Sequence, residues 1–175
     1  MIYRFRIILD THDDVIRDIE IDETSSLEDF HNALTQAFGF DGQEMASFYT
    51  SNEEWEQNDE IALFDMSVED KPVQVMSDTR VNEVVSQKRT KLIYVYDFLN
   101  MWTFLVELAD IAEFEFGMIY PNLMFAQGEV PDDAPDNEFI VEVENGDEEE
   151  DVMFDEEFDL DSEDYENMDF DENWN

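Results

Sequence analysis

The sequence has no cysteine in 175 residues, which excludes disulfides and thiolate zinc sites and suits a reducing compartment. Basic residues are nearly as scarce: eight Lys and Arg stand against 49 Asp and Glu, a formal charge of −41. All eight lie at or before Lys91, so no stretch after that point can displace counterions from a phosphate backbone. Direct nucleic-acid binding is therefore disfavoured, and the expected partners are basic proteins, basic peptides or divalent cations. No apolar run approaches the roughly 20 residues that span a bilayer. The opening residues Met1, Ile2, Tyr3, Arg4, Phe5 and Arg6 lead into an alternating pattern with no small-residue cleavage site, so no signal peptide is expected and the cytoplasm is the expected compartment. Walker-type lysine loops, Gly-rich dinucleotide fingerprints and G-x-S-x-G elbows are also missing, and no cofactor is expected.

The residues that are present suffice for one core, with 43% apolar content. Tyr3, Phe5, Ile7 and Leu9 alternate with Arg4 and Arg6, the period of a half-buried strand. Ile19 and Ile21 repeat the pattern against Asp18 and Glu20, so residues 3–21 read as an antiparallel hairpin. Ser25 and Glu28 have capping-box spacing, and Leu27, Phe30, Leu34 and Phe38 then share one helix face, with Ala33 and Ala37 beside them and Gly39 as the stop. Residues 48–64 read as short strands around a mobile polar loop at 51–60. A second helix is expected after Asp78, with Val81, Val84 and Val85 inward and Lys88 and Arg89 complementing the dipole in its last turn. Residues 92–98 and 102–108 alternate as a second, central hairpin. Beyond Tyr120 and Pro121 a loop is expected, then a last strand at 139–143.

The fold class that results is α+β: a mainly antiparallel sheet with two helices in the order ββα, short strands, α, ββ, and helices on one face. A domain over residues 1–145 would be followed by an acidic segment, 146–175. From Pro131 onward there are 22 acidic residues and no basic one. Repulsion at that density opposes collapse, so the tail is expected to be disordered when free. Phe154, Phe158, Tyr165, Phe170 and Trp174 recur through it, and such rings can dock on a basic partner while the surrounding carboxylates keep the segment in solution.

The order of motifs resembles the plasmid pRiA4b ORF-3-like family, whose members are often passenger proteins of bacterial insertion elements. The match runs over about residues 3–133. It is carried by Tyr3, Ile7 and Leu9, by the segment at 15–19, by 27–31 and 36–41, and above all by Leu92, Ile93, Tyr94, Val95, Tyr96, Asp97 and Phe98 followed by Trp102. The resemblance implies a compact α+β fold and an association with mobile elements, and no established activity. Family members usually carry Trp where Ile16 stands, His around Glu44 and Ala46, Gly-Asp at Leu99 and Asn100, and His near Phe104. A chemical site built on those residues would be lost in this chain.

Few side chains suggest chemistry. His31 on the first helix could serve as a base or ligand, or could simply be a buried residue bonded to a neighbour. Asp97, at a strand end, could act as an acid or base but has no titratable companion in sequence; a turn-shaping role is the competing reading. His12 lies near Asp10, Asp13 and Asp14, a set of metal-ligand types that so acidic a chain produces by chance. Asp159, Asp161 and Glu163 imitate an EF-hand start, but Asp164 takes the glycine place and Phe170 the glutamate place. No metal is expected. The leading expectation is a non-enzymatic interaction protein whose tail engages a basic partner; the alternative is a metal-dependent hydrolase or nucleic-acid-processing accessory of a mobile element using Asp97 and His31.

Overall fold

A computed structural model describes residues 1–68 and 72–135. The strand expected at 139–143, the boundary at 145 and the acidic segment with its five aromatic residues lie outside them. The described strands are β1 (Ile2–Leu9), β2 (Ile16–Asp22), β3 (Ala46–Ser51), β4 (Gln57–Ala62), β5 (Gln74–Val75), β6 (Lys91–Tyr96), β7 (Trp102–Ala112) and β8 (Asn122–Gln127); the helices are α1 (Leu27–Phe38) and α2 (Val81–Val84). The strands form one sheet in the order β5-β4-β3-β6-β7-β1-β2-β8. Every pairing is antiparallel except β4 with β5. The fold is thus α+β with a mostly antiparallel sheet.

β1 and β2 form the expected hairpin, with Tyr3 opposite Ile21 and Phe5 opposite Ile19. On the reverse face, opposite charges meet across the strands, the arrangement that favours this register. Arg4 reaches Glu20 at 2.8 Å and Asp110 on β7 at 3.1 Å, and Arg6 grips Asp18 through two nitrogens at 2.9 and 2.8 Å. β6 lies at the sheet centre with Leu92, Ile93, Tyr94, Val95 and Tyr96 all buried, as expected of a central hairpin with β7.

α1 supplies the second layer. Leu27, Phe30, Leu34 and Phe38 are buried; Phe30 sits between Phe5 at 4.7 Å and Phe48 at 5.5 Å, and Phe38 meets Phe104 edge-on at 4.7 Å. Its N-cap is Ser26, one residue later than the spacing predicts. Ser26 Oγ accepts the Asp29 N–H, and the Asp29 carboxylate accepts the Ser26 N–H. Ser25 instead gives its carbonyl to the Val81 N–H, so the strand-to-helix junction selects the later of two overlapping boxes. Gly39 closes the helix at φ +81°, a conformation that costs glycine least.

Three expectations are corrected. The short strands expected around a polar loop are β3 and β4, but the loop is 52–56 rather than 51–60, because β4 begins at Gln57; Asn52 Oδ1 accepts the N–H groups of Glu54 and Glu56, and Ser47 Oγ on β3 donates to Glu60 on β4 at 2.7 Å. The second helix is a single turn, because Val85 is extended at φ −121°, ψ 137°. Three β-branched valines that bury well are poor helix formers. Lys88 and Arg89 lie in the following turn, closed by reciprocal Ser86 and Arg89 backbone bonds, and Arg89 Nη2 donates back to the Glu83 carbonyl at 3.3 Å. Finally, the loop expected after Pro121 is β8, paired with β2 and bulged between Asp18 and Ile19.

Candidate functional site

The two residues with chemical potential have separate partners. His31 is 2% exposed, and its Nδ1 lies 2.7 Å from the Tyr94 hydroxyl. Burial lowers the His31 pKa, holding the ring neutral, and burial raises that of Tyr94, with the nearby Tyr96 adding to the rise. Tyr96 donates to Asp41 at 2.9 Å, and its own pKa is raised first by burial and then by that carboxylate. Asp97 stands at φ +59° in the β6–β7 turn. Its Oδ1 accepts the Leu99 and Asn100 N–H groups at 3.1 and 3.4 Å, and its Oδ2 accepts the Asn100 side-chain amide at 2.6 Å. That geometry is the turn-shaping role. A neutral, enclosed His–Tyr pair and a carboxylate saturated by its own turn do not form a joint acid–base site. Among the described residues no group of three or more His, Asp or Glu could hold a metal ion.

A different feature emerges where α1 passes the sheet edge. A cleft of about 620 Å³ opens between Asn32, Ala33, Gln36 and Ala37 on α1 and residues 120–123 leading into β8. Small side chains at 33 and 37, one helical turn apart, keep the helix flank low there. Asn32, Gln36 and Asn122 supply amides. The chain segment that carries Tyr120 and Leu123 into the cleft leaves many apolar side chains open: Phe116 is 99% exposed, Ile119 84%, Leu123 47% and Phe125 44%, with Phe114 and Met124 also open. The rings of Phe114 and Tyr120 meet at 5.5 Å. Large apolar side chains left open in this number along one segment make it a candidate interaction surface. Sequence reasoning passed over it, although the run Glu113, Phe114, Glu115, Phe116 carries a signal: rings alternating with carboxylates.

β8 itself is an edge strand. Among the described residues the sheet ends there, and no backbone hydrogen bond among them is made to its outward side. Within its six residues it has no Lys, no Pro and no charge, so of the features that normally blunt a bare edge it has only the bulge opposite Asp18 and Ile19. Arg17 anchors it from behind. That side chain is 8% exposed and donates to the carbonyls of Ala37 (2.9 Å), Ile16 (2.8 Å), Gln127 (2.7 Å) and Gly128 (3.1 Å), while lying 5.0 Å from the Phe38 ring centroid. Burial lowers its pKa.

Apart from Arg17, whose guanidinium is turned onto backbone carbonyls, the charge of the chain segments flanking this edge is of one sign. Residues 113–135 contain Glu113, Glu115, Glu129, Asp132 and Asp133 and no basic residue. The nearest strands hold Arg4 and Arg6 in ion pairs and Arg17 on carbonyls. Lys88, Arg89 and Lys91 instead line a polar cleft with Thr50, Ser51 and Asn52, on the β3 side of the sheet. Among the described residues no helix is long and apolar enough to cross a membrane.

A family model described as plasmid pRiA4b ORF-3-like protein matches residues 1–174. The crystal structure of a protein of unknown function from Methanosarcina mazei Go1 is similar in fold, with a TM-score of 0.61 at 19% identity over 71% of this chain and 68% of that one. No curated protein matches the sequence.

Proposed function

The chain belongs to the plasmid pRiA4b ORF-3-like family, and from that premise we propose that it is a non-catalytic interaction protein that engages a basic protein partner. The observation that carries this reading is the one-sided charge: −41 overall, with 22 acidic and no basic residues from Pro131 onward. A field of that strength draws cationic partners and repels nucleic acid and anionic membranes alike. Phe154, Phe158, Tyr165, Phe170 and Trp174 supply apolar contacts on the partner, each set among carboxylates. The association with mobile elements that the resemblance implies makes a nucleic-acid-binding protein with a cationic surface the partner class of choice.

The test is a calorimetric titration of the full chain with a lysine-rich protein. A second full chain has the five tail aromatics replaced by serine. Binding is expected at low salt, is expected to vanish at about 1 M salt, where the Debye length is about 3 Å, and should weaken in the serine form. No binding at low salt refutes the reading; equal binding by the two chains removes the aromatics from the contact.

A further inference from the structure

We infer that β8 is a strand-addition site, and that its occupant is an extended segment of the basic partner carrying alternating apolar and Lys or Arg side chains. The inference rests on the proposal of a basic partner and says where and in what conformation that partner is held.

Three observations converge on it. The outward edge of β8 meets no backbone partner among the described residues, and it carries none of the charges or prolines that protect such an edge. An incoming extended chain would satisfy the unpaired N–H and C=O groups that alternate along it. Next, the two faces beside the edge differ. Ile19, whose strand partner is Leu123, points to the core and the α1 side, and Leu123 lines the α1 cleft. Side chains of an added strand on that side therefore meet Ala33, Gln36 and Leu123, in a cleft that offers apolar walls with amides and the Asp29 carboxylate at its rim. Phe125 pairs with Asp18 on the reverse face, where Asp18 is already held by Arg6. Lastly, the segments leading to and from β8 bear Glu113, Glu115, Glu129, Asp132 and Asp133 without a single cation, so a second copy of this acidic chain is disfavoured as the occupant and a cationic one is favoured.

The edge is also held ready. Arg17 fixes the Gln127 and Gly128 carbonyls, and Asn122 Nδ2 donates to Glu20 at 3.1 Å, so both ends of β8 are tied to β2 before any partner arrives. A preformed edge spares the partner the cost of ordering its template.

The experiment is hydrogen–deuterium exchange on the full chain, alone and with a synthetic peptide of alternating lysine and valine. Two control peptides accompany it, one N-methylated at alternate backbone amides and one with glutamate in place of lysine. The expected result is fast exchange in the free chain at the outward-facing amides of residues 122–127, those not bonded to β2, slowing by about tenfold or more at saturating lysine–valine peptide. Neither control peptide should produce it. Phe125→Lys, a change at an exposed position, should weaken binding by about tenfold, the size set by one like charge at contact distance. If the peptide binds but slows exchange elsewhere, or binds equally well when N-methylated, strand addition is overturned while the basic-partner proposal stands. If no lysine peptide binds, both fall. If the outward-facing amides of residues 122–127 are already protected in the free chain, whether or not the protection depends on concentration, the edge is covered by this chain or a copy of it and the inference is overturned.

Discussion

Replacing Arg17 tests how the β8 edge is built. Among the described residues its guanidinium makes four hydrogen bonds, all to backbone carbonyls, and no ion pair with a carboxylate. One of those carbonyls, on Ala37, belongs to the last turn of α1, where a cation is favoured by the helix dipole. The side chain thus ties three elements, β2, α1 and β8, at one point. A bond from a charged donor is worth about 1.5–3 kcal/mol, but removing the guanidinium also removes its own desolvation cost, several kcal/mol. The net expectation for Arg17→Met is a loss of about 3 kcal/mol. Arg17→Lys keeps the charge but loses the planar fork, so it should cost less, about 1–2 kcal/mol. In urea, with a slope near 1.5 kcal/mol per molar, the Met variant should unfold about 2 M earlier and the Lys variant about 1 M earlier. Exchange at residues 122–127 should rise in both while that of β6 does not. A Met variant within about 0.3 M of the parent, or Met and Lys variants that coincide, would refute the reasoning.

Other substitutions probe independent parts of the account. Gly128 stands at φ +77°, and a Cβ there would lie 2.2 Å from the Asp14 carbonyl oxygen; Gly128→Ala should cost about 2 kcal/mol or more, read as a lower melting temperature by calorimetry. Ser26→Ala removes the acceptor for the Asp29 N–H and should cost about 1 kcal/mol in urea unfolding, whereas Ser25→Ala should not. Because burial lowers the His31 pKa below the ordinary 6.5, the unfolded chain binds a proton there before the folded one does. That contribution to stability is complete above pH 6.5 and declines as the pH falls below it. Relative to His31→Phe, the parent should lose up to about 1.4 kcal/mol between pH 7.5 and 5.5; a difference independent of pH would contradict a neutral buried ring.

The parts of the fold that were legible are those where one face is wet and the other dry. β1 and β2 alternate because Arg4 and Arg6 must reach Glu20 and Asp18 while Tyr3, Phe5 and Ile7 are buried. α1 shows its face through Phe30, Leu34 and Phe38 for the same reason. Its cap was ambiguous by one residue, since Ser25–Glu28 and Ser26–Asp29 carry the same spacing and only the junction with Val81 decides between them. β8 was illegible because an edge strand exposed on both faces has no alternation to show, and Pro121 beside it mimics a loop. The length of α2 depends on tertiary burial of valines that local propensity disfavours. At the chemical candidates, the turn role of Asp97 could be anticipated from its neighbours, while the Tyr94 partner of His31, 63 positions away, could not. The cleft between α1 and β8 likewise joins residues some 90 positions apart, although Ala33 and Ala37 at i and i+4 already mark the low flank of the helix.

The central claim is that the acidic segment touches a basic partner, and the three tryptophans, Trp55, Trp102 and Trp174, offer a direct view of it. Incorporating 5-fluorotryptophan into the full chain gives one fluorine resonance for each. On adding a lysine-rich protein at low salt, the Trp174 resonance should shift or broaden and return at about 1 M salt, while that of Trp102, 6% exposed in the core, stays in place. A Trp174 resonance that does not move at saturating partner would contradict the account.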